Sequence, residues 1–279
     1  MIHGINNNFL YAVSRVETGF VNPSTSEVQG RQGTGFFVVK DGQIYFITNR
    51  HVMDLSVEDA KYTDFRLDTL KFDIRRYDNV SKKVVSNMVE AVSYFETLPD
   101  DDHDDVICLG QIRLAGNNAI AQAYFLFDML ADSNCLEQEI SVCDGLAVIG
   151  FPQVYDHLNN MPVLRSGVIS SDPRQNYSYD NNYMGHVIAY EAFSTGGLSG
   201  SPVLAVQKGF PVSGALNAPA DFYRPVKIVG INTGSMNNLE GVHQQMSFMY
   251  KSDVIRELIL KCEKGQGFTI VHNKIVHPI

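Results

Sequence analysis

The sequence predicts an all-β protein, and three observations point that way. Short apolar segments of about six residues recur along the 279-residue chain, each bounded by Gly, Asn, Asp or Pro, as expected of half-buried strands joined by turns. They follow one another without helical segments between them, which favours barrels or a sandwich over an alternating α/β sheet. Only residues 252–260 repeat at helical spacing. There Val254, Ile255, Leu258 and Ile259 share one face, and Ser252 stands where it can cap the first turn.

Taken in order, residues 9–16, 35–40, 44–48, 70–76 and 84–92 read as a first series of strands. Asp41-Gly42, between Val39 and Ile44, is a hairpin signal, because that turn needs two residues tolerant of positive φ. A second series covers 146–151, 163–170, 186–193, 201–206, 226–232 and 246–250. Residues 114–144 are the least patterned, so the join between two β domains is expected there, with domains at 1–125 and 126–279 and the helix near 252–262. The tail 271–279 reads as a strand or docked extension, a candidate to pack on a partner subunit.

Hydrophobic residues make up 44% of the chain and charged residues 19%, a globular balance able to bury a sizeable core. The formal net charge of −9 argues against a general nucleic-acid binder. The start of the chain has no basic region followed by an apolar core, so no signal peptide is expected. No apolar run reaches the roughly 18–20 residues of a membrane span. Cys108, Cys135, Cys143 and Cys262 lack metal-type spacing and read as buried, reduced thiols of a cytoplasmic protein. The histidines other than His51 show no metal spacing either, and neither metal nor cofactor is expected.

The chemistry-bearing stretch is Ser194-Thr195-Gly196-Gly197-Leu198-Ser199-Gly200-Ser201-Pro202-Val203. Glycines let the backbone turn so that amide N–H groups converge beside a hydroxyl, the pairing that acyl transfer requires. Taken alone, the segment reads equally well as a Gly/Ser-rich turn. Upstream, an apolar run ends in Thr48-Asn49-Arg50-His51. An imidazole there can accept a serine proton and return it to a leaving amine, although a lone histidine is more often structural. Asp105 leads directly into the apolar segment Val106-Ile107-Cys108-Leu109, where a carboxylate can orient a histidine. The other acids of 100–105 read as a solvated turn.

In the order His51, Asp105, Ser199, these segments resemble the trypsin/chymotrypsin superfamily, with the closest likeness to its disulfide-free HtrA-like branch. The likeness rests on Gly33-Thr34-Gly35-Phe36, Thr48-Asn49-Arg50-His51-Val52 and Asp105-Val106-Ile107-Cys108-Leu109. Further blocks are Ile149-Gly150-Phe151-Pro152, Gly167-Val168-Ile169-Ser170, Gly197-Leu198-Ser199-Gly200-Ser201-Pro202 and Val229-Gly230-Ile231-Asn232. The resemblance implies two antiparallel six-stranded β-barrels of the chymotrypsin kind, with a cleft between them. It implies a serine endopeptidase acting on a protein or peptide, with Ser199 as nucleophile, His51 as general base and acid, and Asp105 as orienting carboxylate. The amides of Gly197 and Ser199 would form the oxyanion hole, and Phe193, Thr233 and Ser235 would line the specificity pocket.

Several positions depart from the family pattern. Leu198 replaces the acid by which animal trypsins couple activation to a new N-terminus, and Ser201 replaces a usual glycine. Ser201 is rejected as nucleophile because Pro202 follows it and the paired glycine amides precede Ser199. No PDZ-like domain is expected after the helix. A free protease in a cytosol calls for gating, by an activating partner protein or by a loop, with the stretch between His51 and Asp105 and residues 217–223 as candidates. The Phe193 position implies cleavage after a small or medium apolar residue. A dormant peptide-binding or scaffold module, and an esterase using the same residues, are the competing readings.

Overall fold

A computed structural model describes residues 5–116, 123–192, 195–209, 223–235, 246–272 and 274–276. The first barrel comprises β1 (Val13–Val21), β2 (Val28–Lys40), β3 (Gln43–Thr48), β4 (Arg66–Asp78), β5 (Lys83–Thr97) and β6 (Ile107–Leu114). Its antiparallel order is β5-β4-β1-β2-β3-β6, and pairing of β5 with β6 closes the ring. A short β7 (Phe125–Leu126) runs parallel to β2. The second barrel comprises β8 (Gly145–Gly150), β9 (Val163–Ile169), β10 (Val187–Glu191), β11 (Pro202–Ala205), β12 (Lys227–Ser235) and β13 (Met246–Lys251). It closes in the order β10-β13-β12-β11-β8-β9. The expected pair of six-stranded antiparallel barrels is what the chain forms.

Period-two burial sets each strand's orientation. In β1, Val16, Thr18 and Phe20 face inward while their neighbours are half-exposed. At the β2–β3 hairpin, Asp41 and Gly42 have φ of 49° and 78°, the two positive values a tight primed turn demands. The first predicted strand starts later than expected, because residues Asn7–Tyr11 coil as a 3-10 turn capped by the Asn6 side chain, which accepts from the Asn8 amide at 2.9 Å. By contrast, β4 and β5 extend beyond the predicted 70–76 and 84–92: the residues added to β4 are exposed or half-exposed, and those added to β5 hold only the short Tyr94-Phe95 pair between the polar Ser93 and Glu96.

Phe37, Phe46 and Phe72 fill the first barrel, with ring centroids 4.5–6.4 Å apart. Val148, Ile188, Tyr190, Val203, Val229 and Met249 fill the second. A third cluster joins the two, packing Phe36, Ile47 and Val106 with Ile149, Phe151, Ile231 and Tyr250. Each large apolar side chain so buried contributes about 1.5–3 kcal/mol, which favours keeping the barrels docked.

One-turn α1 (Arg50–Met53) follows β3, α2 (Ser133–Gln138) lies between the barrels in sequence, and α3 (Ser252–Glu263) follows β13. Val254, Ile255, Leu258 and Ile259 are buried on one face of α3 as predicted. Ser252 is not the cap. Lys251 holds that position, and the Ser252 hydroxyl, already inside the helix, donates to the Ala131 carbonyl at 2.7 Å. After α3, β14 (Phe268–Val271) pairs with β5 of the first barrel and with β15 (Lys274–Val276), so the tail docks on its own chain. Cys108, Cys135 and Cys262 are buried free thiols, but Cys143 is exposed, at a turn residue with φ of 67°. Among the described residues, no helix is long and apolar enough to cross a membrane.

Candidate active site

The candidate base arises where β3 ends. Thr48 donates its hydroxyl to the Thr34 carbonyl at 2.7 Å, and Asn49, fully buried, donates to the Asp105 carbonyl at 2.6 Å. These bonds hold the turn that starts α1, whose Val52 and Met53 are buried, so His51 emerges at a fixed place. Asp105 grips it twice. The His51 amide donates to Oδ1 at 2.9 Å, and ring Nδ1 lies 2.5 Å from Oδ2. With Nδ1 donating to a carboxylate, the tautomer that results carries its lone pair on Nε2. Oδ2 also accepts from Thr233 Oγ1 of β12 at 3.0 Å, so the acid is held from both barrels.

The glycine-rich segment before β11 is equally constrained. Thr34 Oγ1 donates to the Gly197 carbonyl at 2.7 Å, the Thr34 amide to the Ser199 carbonyl at 2.8 Å, and the Gly200 amide to Asn232 O at 2.9 Å. Gly197 and Gly200 have φ of 93° and 86°. A β-carbon would collide with the Phe151 carbonyl at Gly197 and with the Thr34 carbonyl at Gly200. Both positions therefore require glycine. Among the described residues, the Gly197 and Ser199 amides donate to no backbone carbonyl. The Ser199 hydroxyl likewise bonds to no described residue, while Ser199 itself is partly exposed. Ser201 is fully buried with its hydroxyl unpaired, so it is shielded from any substrate.

Strand β2 brings the two sets together. A β-carbon on Gly33 would touch the Val52 side chain on one side and the Ser199 carbonyl, at 3.4 Å, on the other. His51 and Asp105 are in direct contact, and Val52 and the Ser199 carbonyl both lie against the same glycine of β2. Nε2 of His51 lies 3.6 Å from Glu58 Oε1, and the other oxygen of Glu58 is 2.8 Å from the Arg31 guanidinium.

A family model for the trypsin-like peptidase domain matches residues 33–212. The chain belongs to that family. Among solved structures it is similar to the HtrA-type protease AlgW with decapeptide, at TM-score 0.51 and 16% identity over 92% of this chain and 66% of that one. It is also similar to Deg5, at TM-score 0.49 and 16% identity over 91% and 90% of the two chains. At such identities the likeness concerns the fold. A comparison with curated protein sequences finds no match.

Of the residues expected to shape the pocket of this trypsin-like peptidase domain, Thr233 holds the Asp105 carboxylate as described. Phe193 lies outside the described residues, as do residues 217–222 of the candidate gating loop. Ser235 pairs with Ser247 through its backbone, and its side chain lies outside the description. The remaining acids of the 100–105 turn are not all solvated. Asp104 is 2% exposed and accepts from the amide and ring Nδ1 of His186, both at 2.8 Å. The partners are 82 residues apart, and no local spacing signals that contact. Beneath α1, a cavity of about 260 Å³ is lined by Phe20, Met53, Phe65, Glu96 and Ile270. Burial, with the Asp54 charge adding to it, pushes the Glu96 carboxyl up to about 7.

Proposed function

We propose that this trypsin-like peptidase domain is a serine endopeptidase that works through an acyl-enzyme. The observation that carries the reading is the doubly held His51–Asp105 pair, with Nδ1 2.5 Å from the carboxylate, in a chain whose Ser199 sits on a positive-φ glycine turn. In the forward step Ser199 Oγ bonds to the scissile carbonyl carbon, and its proton passes to His51 Nε2. The carbonyl oxygen becomes an anion that the Gly197 and Ser199 amides receive. His51 then delivers the proton to the departing amine as the C–N bond breaks, leaving an ester on Ser199. Water, deprotonated by the same nitrogen, hydrolyses that ester. Asp105 stays ionised throughout and stabilises the imidazolium. The Ser199 hydroxyl bonds to no described residue at rest, and on this reading its bond to Nε2 forms only as the site approaches the transition state.

We further propose that activity is gated. Glu58, fixed by Arg31, faces the nitrogen that must serve Ser199, so a trigger, such as an activating partner, has to free it. The substrate is a protein or peptide cleaved after a small or medium apolar residue, and a positional peptide library reads that preference. The free buried thiols suit a reducing, cytoplasmic setting.

A fluorophosphonate probe tests the enzyme directly. Labelling of Glu58→Gln, faster than that of the intact protein and abolished in both by Ser199→Ala, is the expected result. No labelling of any form, with the fold intact, would favour the dormant peptide-binding module. Turnover of small esters without peptide cleavage would favour an esterase.

A further inference from the structure

Asp104 and Asp105 are adjacent, and each captures a histidine in the same way. Asp105 takes the amide and Nδ1 of His51, and Asp104 takes the amide and Nδ1 of His186. The first histidine comes from the first barrel. The second immediately precedes β10 of the second barrel, and its carbonyl accepts from the Lys251 amide at 2.9 Å. Neighbouring contacts follow the same seam. The Tyr183 hydroxyl donates to Asp101 Oδ2 at 2.6 Å, and the Tyr250 hydroxyl to the His103 carbonyl at 2.8 Å. Gly185, at φ of 86°, passes so close to Asp104 that a β-carbon there would press on its carboxylate and on the His103 carbonyl.

We infer that the Asp104–His186 couple is a positioning device for Asp105, and through it for His51; the inference rests on the serine-peptidase reading above. Asp104 is too buried to be left without a partner, since an unpaired carboxylate in that setting is costly. Its partner belongs to the other barrel, so docking adds a second hold to a 101–105 turn that Asn49 and Arg50 of the first barrel already grip at the Asp105 and Asp102 carbonyls. One residue on, Asp105 needs that pinned backbone to keep its oxygens on the His51 amide and ring at once. Asp101, Asp104 and His186 offer donor atoms within 4.8 Å of one another, but these groups are already engaged with each other, His103 and Tyr183. The cluster therefore reads as a clasp and not as a cation site.

The test compares His186→Ala with His186→Asn, whose side-chain amide can replace Nδ1 as donor to Asp104. His186→Ala is expected to lower kcat on a cleaved peptide by about 10- to 100-fold, the scale of a lost charge-assisted hydrogen bond, with KM within about twofold. His186→Asn recovers most of that loss. In a Ser199→Ala background, the downfield His51 Nδ1 proton resonance, identified by its absence in His51→Gln, is expected to persist with His186→Asn. It should broaden or move upfield with His186→Ala. A fall in kcat that only tracks loss of folded protein would overturn the inference, as would an unchanged resonance in His186→Ala. If no form cleaves any peptide, the peptidase reading fails, and the resonance still decides whether the clasp positions His51.

Discussion

The barrels meet at two polar seams that differ in what surrounds them. At the first, the 101–105 turn receives His186, Tyr183, Tyr250 and Thr233 from the second barrel, and the His186 side chain stays 41% exposed. At the second, Asp73 and Arg75 of β4 have fully buried side chains 3.7 Å apart. Asp73 accepts from Ser86 at 2.6 Å and from Asn160 at 2.7 Å, while Arg75 lies over the Phe151 ring at 4.4 Å and bonds to the Val13 carbonyl. Burial raises the Asp73 carboxyl and pulls Arg75 down to about 10, both signs of charge removed from water. The first seam uses partly exposed, directional bonds, which on the proposed reading align His51 and Asp105. The second locks the barrels with a dry pair that tolerates no missing member.

That contrast is open to direct attack. Arg75→Ala leaves the buried Asp73 with its hydrogen bonds from Ser86 and Asn160 but without its cation, so a loss of about 3–5 kcal/mol in unfolding free energy is expected by denaturant titration. Thr233→Val strikes the first seam instead. Losing one hydrogen bond to a charged acceptor is expected to lower kcat/KM by about 10- to 100-fold, a scale of about 1.5–3 kcal/mol, with little change in Tm. A large Tm loss with unchanged turnover would reverse the assignment of the two seams.

Glu96→Gln sharpens the comparison, because Glu96 is an acid in the α1 cavity with no hydrogen-bond partner among the described residues. Its folded carboxyl titrates near 7 against an ordinary 4.5. Between those values the folded state holds the proton and the unfolded state does not, so stability falls as pH rises through that window. The variant should therefore gain about 1–3 kcal/mol at pH 8 and nothing at pH 4. Burial alone, on this view, gives an acid no value; partners do. The smallest effect is expected from Tyr183→Phe. The Tyr183 hydroxyl is the main reason the exposed Asp101 carboxyl sits down at about 2. Its removal should return that group toward the usual carboxylate range by NMR titration while leaving Tm unmoved.

The strand-rich architecture was legible because apolar alternation and turn residues are local. Asp41-Gly42 and the buried stripe of α3 followed from neighbours a few positions away. His51 and Asp105, singled out from ordered blocks each weak alone, come into contact in the fold; the catalytic roles given to them belong to the proposal. Contacts that depend on closure of two barrels left no such trace. Asp104 looked like one more solvated acid until His186, far along the chain, covered it, and Thr233 looked like a pocket wall before its hydroxyl met Asp105. The extra length of β4 lay in exposed or half-exposed residues, and that of β5 in a lone Tyr94-Phe95 pair set between polar residues, too short to show a period. Ser252 failed as a cap for a related reason, its hydroxyl being drawn to the Ala131 carbonyl by tertiary packing.

The chain crosses from the first barrel to the second and then comes back, laying Phe268–Val271 along β5. A ribosome making this protein would release a first barrel whose β5 flank stays open until residues 268–271 emerge. During that interval the flank offers unpaired backbone groups to any strand nearby. Completion of the first barrel is thus tied to residues made after the second, and a translation product interrupted between them would carry an adhesive edge that the folded molecule conceals.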